Sequence, residues 1–187
     1  MKDLSNALRD YAQLFAVQQL RYAVMGGIAV RVYGIPRPTH DIDFTVAMAR
    51  SRLPGLYKAV QDLGYTVPEP YLKGWVDQVA GMPLVKFRLF LQGRGVDIDL
   101  FLAESAFQEE LLGRRRQVSL EETPVWLISP EDLVLLKLLA GRPRDIADVG
   151  DILFTQGQLD ETHMRKWARE LGVLERLEEI LSEHPPV

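Results

Sequence analysis

Two short stretches constrain this 187-residue chain more than any others: THDIDFTV (39–46) and VDIDLF (96–101). Side chains alternate across a β-strand. Asp41, Asp43 and Thr45 therefore share one face of the first stretch, and Ile42, Phe44 and Val46 the other. In the second, Asp97 and Asp99 oppose Val96, Ile98 and Leu100. Each strand is apolar on one side and lined with carboxylates on the other, although aspartate is a poor strand former. Carboxylates about 6.5 Å apart repel by only ~0.6 kcal/mol in water, which a solvent-facing edge strand tolerates; in a cleft of effective dielectric near 20 the cost is ~2.5 kcal/mol. A divalent cation between them reverses the sign. Mg²⁺ prefers hard oxygen ligands, keeps some water and bridges to substrate phosphates.

The rest of the chain supplies a frame for these strands. Apolar residues from Leu4 to Leu20 recur at helical spacing. RYAVM (21–25) reads as a short buried strand, and IAVRVYG as a helix that Gly34 ends. A helix is expected from Ser51, as N-cap, to Gly64. Residues 66 to 83 are broken by Pro and Gly and resist assignment. LVKFRLFLQ (84–92) alternates, and GRG suggests a tight turn into the second carboxylate strand, a hairpin. SAFQEELLGRRR reads as a helix, QVSL and VWLI as short extended pieces. SPEDLVLLKLLAG carries the clearest helix start, with Ser129 as N-cap, Pro130 at N1 and Asp132 at N3. Helices then continue through residues 160–182, and only the final EHPPV reads as disordered. Strands interleave with helices early and helices dominate late, which predicts an α+β fold. The division expected is a core over 1–128 and a helical C-terminal extension over 129–187, packed as one unit.

Composition removes several function classes. With no cysteine there is no disulfide scaffold, thiolate metal site or cysteine nucleophile. No apolar run reaches the roughly 18 residues of a membrane span. The N-terminus lacks a signal-peptide core, so a cytoplasmic protein is expected. A net charge of −4 argues against coating duplex nucleic acid non-specifically. The three histidines, His40, His163 and His184, are scattered, unlike those of a metal-dependent phosphohydrolase.

VMGGIAV places two glycines between a strand and a helix start. Such a corner offers unpaired N–H groups to a phosphate, and glycine lets the backbone approach it; it also makes a plain strand-to-helix turn. Taken with the strand that follows, GGIAVRVYGIPRPTHDIDF resembles the nucleotidyltransferase superfamily related to DNA polymerase β. The Gly-Gly form with R-x-T-x-D-I-D is similar to the bacterial minimal nucleotidyltransferases, including the AbiEii-type toxin group. SPEDLVLLKLLAGRPRDIADVGDIL resembles that group's later pattern, a helix carrying Lys and then Arg-Asp-x-x-Asp. The resemblance spans residues 20 to 155, with no recognisable motif between 50 and 83.

The resemblance implies a mixed nucleotidyltransferase-type sheet flanked by helices, and a Mg²⁺-dependent transfer of a nucleoside monophosphate from an NTP to an acceptor hydroxyl. Gly26 and Gly27 match the nucleotide-phosphate turn. Asp41 and Asp43 match the metal-binding pair, which would hold two Mg²⁺, with Mn²⁺ as the alternative ion. The third carboxylate falls on Asp97 or Asp99; the apolar ending DLF favours Asp99 as metal ligand and base. Arg37 either contacts the triphosphate or pairs with a surface carboxylate, and Thr39 caps or orients the strand start. Lys137, ringed by apolar neighbours in sequence, either snorkels to solvent or reaches a phosphate. Asp145 and Asp148 contact the nucleotide or acceptor, or form surface ion pairs. His40 should point away from Asp41, and Arg114 to Arg116 read as a solvated helix end. The acceptor is open among tRNA, a protein and a small molecule, and an antitoxin is the partner the resemblance implies. The competing reading is a non-catalytic nucleotide-binding or protein-interaction module on the same fold.

Overall fold

The computed structural model describes residues 2–91 and 94–183. Of the expected GRG turn (93–95), Gly93 lies outside the described residues, as does the tail beyond Glu183, whereas Arg94 and Gly95 already pair with Leu91 and Phe90 in the sheet. Helix α1 (Lys2–Val17) leads into strand β1 (Arg21–Met25), helix α2 (Gly26–Tyr33) and strand β2 (Asp41–Ala47). Helices α3 (Leu53–Asp62) and α4 (Glu69–Leu72) precede strands β3 (Asp77–Val79), β4 (Met82–Leu91) and β5 (Arg94–Leu102). Helix α5 (Ala106–Arg114) and the hairpin of β6 (Arg116–Leu120) and β7 (Thr123–Leu127) follow. The chain continues as α6 (Pro130–Ala140), α7 (Pro143–Gln156), α8 (Glu161–Glu170) and α9 (Leu174–Glu183).

The strands form one mixed sheet in the order β3-β4-β5-β2-β1-β7-β6. β2 runs parallel to β5 and β1 parallel to β7, while the other neighbours are antiparallel. The carboxylate strands β2 and β5 are thus central neighbours. Ile42, Phe44, Val46, Ile98 and Leu100, the apolar sides of both, are fully buried. Tyr11 of α1 stacks on Phe44 at 5.4 Å between ring centroids, and Phe15 meets Phe44 edge-on at 5.3 Å. This aromatic layer fixes which face of β2 is inside. A one-residue slip would drive Asp41 and Asp43 into it, so the register is strongly specified.

One local expectation needed correction, and one unassigned stretch took form. Ser51 does not cap a helix: residues Arg50–Arg52 form a short 3-10 turn and α3 begins at Leu53 with Pro54 in its first turn. Proline suits that place because its missing N–H is unpaired there anyway. The unassigned stretch 66–83 contains α4 and the three-residue edge strand β3, which a turn with positive φ at Ala80 and Gly81 joins to β4. Three residues are too few for an alternation to be read.

Ser129 does cap α6, accepting from the Asp132 N–H at 3.2 Å, and Gly141 ends the helix at φ 65°. Asp132 is fully buried and satisfied by Ser129 Oγ at 2.7 Å and His163 Nε2 at 2.7 Å. Arg114 reaches toward Glu131, Asp132 and Asp160, and Arg115 lies 4.5 Å over the Trp126 ring. Arg114 thus ties the end of α5 to α6 and to the start of α8, and Arg115 packs on β7, while Arg116 is exposed as a solvated end would be.

Candidate active site

Met25 at the end of β1 pairs with Asp43 of β2, so the chain reverses into α2 beside that carboxylate. Gly26 makes the corner at φ +63°, the left-handed region that glycine adopts without steric cost. A Cβ on Gly26 would stand 1.8 Å from Asp43 Oδ2, and one on Gly27 2.5 Å from Thr39 Oγ1. The two glycines therefore let the Asp43 side chain of β2 and the Thr39 side chain of the loop before it lie against the backbone. No side chain caps the start of α2, so its first N–H groups remain available to an anion.

The parallel register sets Asp41 beside Asp97 and Asp43 beside Asp99. The four carboxylates line one face of two adjacent strands, but their surroundings differ. Asp41 is exposed and accepts from Thr39 Oγ1 at 2.7 Å. Asp43 is partly buried, and among the described residues no side-chain hydrogen bond reaches it. Burial, with Asp41 and Asp99 close by, pushes its pKa from 3.8 to about 7. Asp97 is held by both nitrogens of an Arg88 fork, Nη2 to Oδ2 at 2.8 Å, and that bond keeps its pKa low. Asp99 accepts from Lys86 Nζ at 2.9 Å; burial raises its pKa in spite of that bond. Lys86 and Arg88 sit directly across the β4–β5 ladder from Asp99 and Asp97.

A cleft of about 420 Å³ opens over the glycine corner, lined by Gly26, Arg37, Asp41, Asp43, Lys137 and Arg144 among others. A second, of about 530 Å³, lies on the β4 side, lined by Thr66, Lys86, Arg88, Asp97 and Asp99, and shares Asp41 and Asp97 with the first. The carboxylates stand where the two meet. His40, expected to point away, is exposed and contributes to the rim of the first cleft.

Lys137 neither snorkels nor projects free into the cleft. It is buried and bonded to Asp145 at 2.9 Å and Asp148 at 2.8 Å. Arg37 grips Asp148 through two 2.8 Å bonds, and Arg142 grips Asp145 at 2.6 and 3.2 Å. Burial alone would raise both aspartates; the hydrogen bonds and charges of these cations outweigh it and hold both low. The network joins the loop before β2 to α6 and α7. Its Arg37, Lys137, Arg142 and Asp145 line the cleft with the glycine corner, and Asp145 and Asp148 are internal ion-pair partners instead of surface ones. Lys86 and Arg88 did not stand out in the sequence as site residues. Their spacing, K-x-R facing D-x-D across a hairpin, carries the signal once the register is known.

Among the described residues no three carboxylate or histidine side chains are gathered into a ready-made metal site. The donor set nevertheless fits a hard divalent ion. Mg²⁺ takes one or two carboxylates plus water and substrate phosphates, and Asp43, which Lys137 and Arg142 relieve only from a distance, is the group such an ion would relieve.

A mixed sheet, a glycine corner opening a helix, and carboxylates on two adjacent parallel strands define a nucleotidyltransferase fold. Residues 2–179 match the family described as "Nucleotidyltransferase of unknown function (DUF6036)", and the chain belongs to it. Among solved structures it is similar to an antigenic nucleotidyltransferase-like protein from Paracoccidioides brasiliensis, at 19% identity and TM-score 0.63, covering 98% of this chain and 89% of that one. It is also similar to the antibiotic-resistance factor ANT(2'')-Ia, at 17% identity and TM-score 0.57, covering 96% and 99%. A putative nucleotidyltransferase from Thermotoga maritima aligns at 15% identity and TM-score 0.50, covering 90% and 94%. No curated protein sequence matches the chain significantly. Among the described residues no helix is long and apolar enough to cross a membrane.

Proposed function

We propose that this protein transfers a nucleoside monophosphate from an NTP to an acceptor hydroxyl with a divalent ion, Mg²⁺ in the first place, at Asp41 and Asp43. The observation that carries this reading is the register of β2 on β5, which sets Asp43 beside Asp99 at the glycine corner. The triphosphate lies in the cleft over Gly26 and Gly27, and the acceptor enters from the cleft on the β4 side. When bound, the ion neutralises the phosphate oxygens and stabilises charge on the entering and leaving oxygens. Asp41 and Asp43 would hold it, with Thr39 bonded to Asp41 to fix that carboxylate. The acceptor oxygen forms a bond to the α-phosphorus, the bond from that phosphorus to pyrophosphate breaks, and the acceptor proton passes to Asp99. The Lys86 bond uses Oδ2, leaving Oδ1 for that proton. A raised pKa suits Asp99 to the role, because a better base is a better proton acceptor. Asp97, locked to Arg88, orients the strand and stays out of the chemistry.

Structural relatives include ANT(2'')-Ia in complex with adenylyl-2''-tobramycin, at 16% identity and TM-score 0.54, which supports a small hydroxylated molecule among the acceptor classes. A tRNA or protein acceptor receives no comparable support: of the basic run at 114–116, Arg114 is drawn to Glu131 and Arg115 to Trp126, and only Arg116 is exposed. The reading places the chain where NTPs and Mg²⁺ are abundant, in the cytoplasm. The toxin role and its antitoxin rest on the resemblance of the motifs alone, and growth arrest by wild type but not by Asp43→Asn tests them. The reaction itself is tested by incubating the protein with each α-labelled NTP, Mg²⁺ and fractionated cell extract. Label transfer is expected from wild type, is lost in Asp43→Asn and Asp99→Asn, and falls less than about tenfold in Asp97→Asn. Nucleotide binding without transfer in every fraction selects the non-catalytic module instead.

A further inference from the structure

Lys86 stands directly across the ladder from Asp99 and occupies one of its oxygens at 2.9 Å. If Asp99 is the base of the reaction, as the reading above has it, this contact is made to the group on which turnover depends. It is not a routine surface pair. Arg88 and Asp97, two residues along, form a bidentate pair that is half exposed on both sides and fixed by fork geometry. A lysine has no fork, and its ammonium turns freely on a four-carbon stem. Lys86 also has somewhere else to go. Asp77 faces Leu84 across the β3–β4 ladder, two residues from Lys86 and therefore on its side of the sheet. The charge of Asp77 acts on the Lys86 ammonium.

We infer that Lys86 is a positioning residue: a resident counter-ion that holds Asp99 in place and yields to an arriving divalent cation, its ammonium turning toward Asp77. A cation nearing Asp99 meets a positive charge already seated there. The ammonium thus restrains metal occupancy at the third carboxylate while leaving Asp41 and Asp43 open. Lysine serves here where arginine serves at Asp97, because one pair must release and the other must not.

The test is binding of Mn²⁺, read by calorimetry and by loss of the free-ion paramagnetic signal, in the presence of a non-hydrolysable NTP and without turnover. Lys86→Met should tighten Mn²⁺ binding about fivefold, the worth of one partly exposed ion pair. In an Asp99→Asn background the same substitution should change it less than about twofold, because the competition runs through Asp99. Lys86→Arg, with a fixed fork, should bind Mn²⁺ no more tightly than wild type. A gain that persists undiminished in the Asp99→Asn background would overturn the inference, since it would then be a general field effect. So would unchanged or weaker binding in Lys86→Met with the fold intact by circular dichroism. If wild type binds no Mn²⁺ under these conditions, it is the metal-dependent transfer reading that fails, which separates the two outcomes.

Discussion

Replacing Asp43 by Asn should make the protein more stable while removing its activity. Burial and the neighbouring Asp41 and Asp99 raise the Asp43 pKa from 3.8 to about 7. The sign follows from proton counting. Below pH 3.8 both folded and unfolded chains hold the proton, and the group contributes nothing. Between 3.8 and about 7 the unfolded chain releases its proton and the folded chain keeps it, so stability falls as pH rises. Above about pH 7 the carboxylate is charged in both states and the full penalty is present. Such a shift corresponds to roughly 4 kcal/mol; solvent reaching the partly buried group reduces this, and about 2 kcal/mol is the expected gain for Asn at pH 8. Urea unfolding in the presence of EDTA, at pH 4 and pH 8, measures it. The variant should exceed wild type by about 2 kcal/mol at pH 8 and by little at pH 4. Adding Mg²⁺ with a non-hydrolysable NTP should stabilise wild type and leave the variant unchanged. A variant equal to or less stable than wild type at pH 8, or a difference that does not grow with pH, would refute the account of Asp43 as an unrelieved charge.

Two further substitutions probe the surrounding frame. Gly26→Ala puts a side chain at φ +63° with its Cβ 1.8 Å from Asp43 Oδ2; it should cost about 1–2 kcal/mol in urea unfolding and, by displacing the carboxylate, reduce label transfer about 100-fold. Lys137→Met removes the buried ammonium shared by Asp145 and Asp148. Because Arg142 and Arg37 still face those carboxylates, it should lower stability by about 2 kcal/mol, short of the cost of stripping a buried ion pair completely. Unchanged stability in Lys137→Met would show that the network is not what joins α6 and α7 to the loop before β2.

Sequence alone located β1, both carboxylate strands and the α6 start at Ser129, because their signals are local: alternation, a glycine corner, a serine before proline. It failed at Ser51, where Pro54 moved the helix start, and over 66–83, where β3 is too short to alternate. At the site, sequence showed that Asp41 and Asp43 share a face, and separately Asp97 and Asp99. Parity could not rank Asp97 against Asp99, which share a face; only the DLF ending, through the family resemblance, favoured Asp99. The hairpin partner differs, with Arg88 clamping one and Lys86 touching the other. For Lys137, sequence offered solvent or phosphate. The structure assigned it to two aspartates on the next helix, a pairing that depends on how α7 folds back across α6.

The chain by itself determined the faces, because side-chain direction follows from backbone geometry residue by residue. Only the tertiary structure decided which faces meet: β2 lying parallel on β5 with Asp43 at the level of Asp99, and the glycine corner closing over them. The physical reason is that strand pairing joins segments some fifty residues apart, and its register is fixed by the aromatic layer beneath the sheet and not by anything in the aspartates themselves.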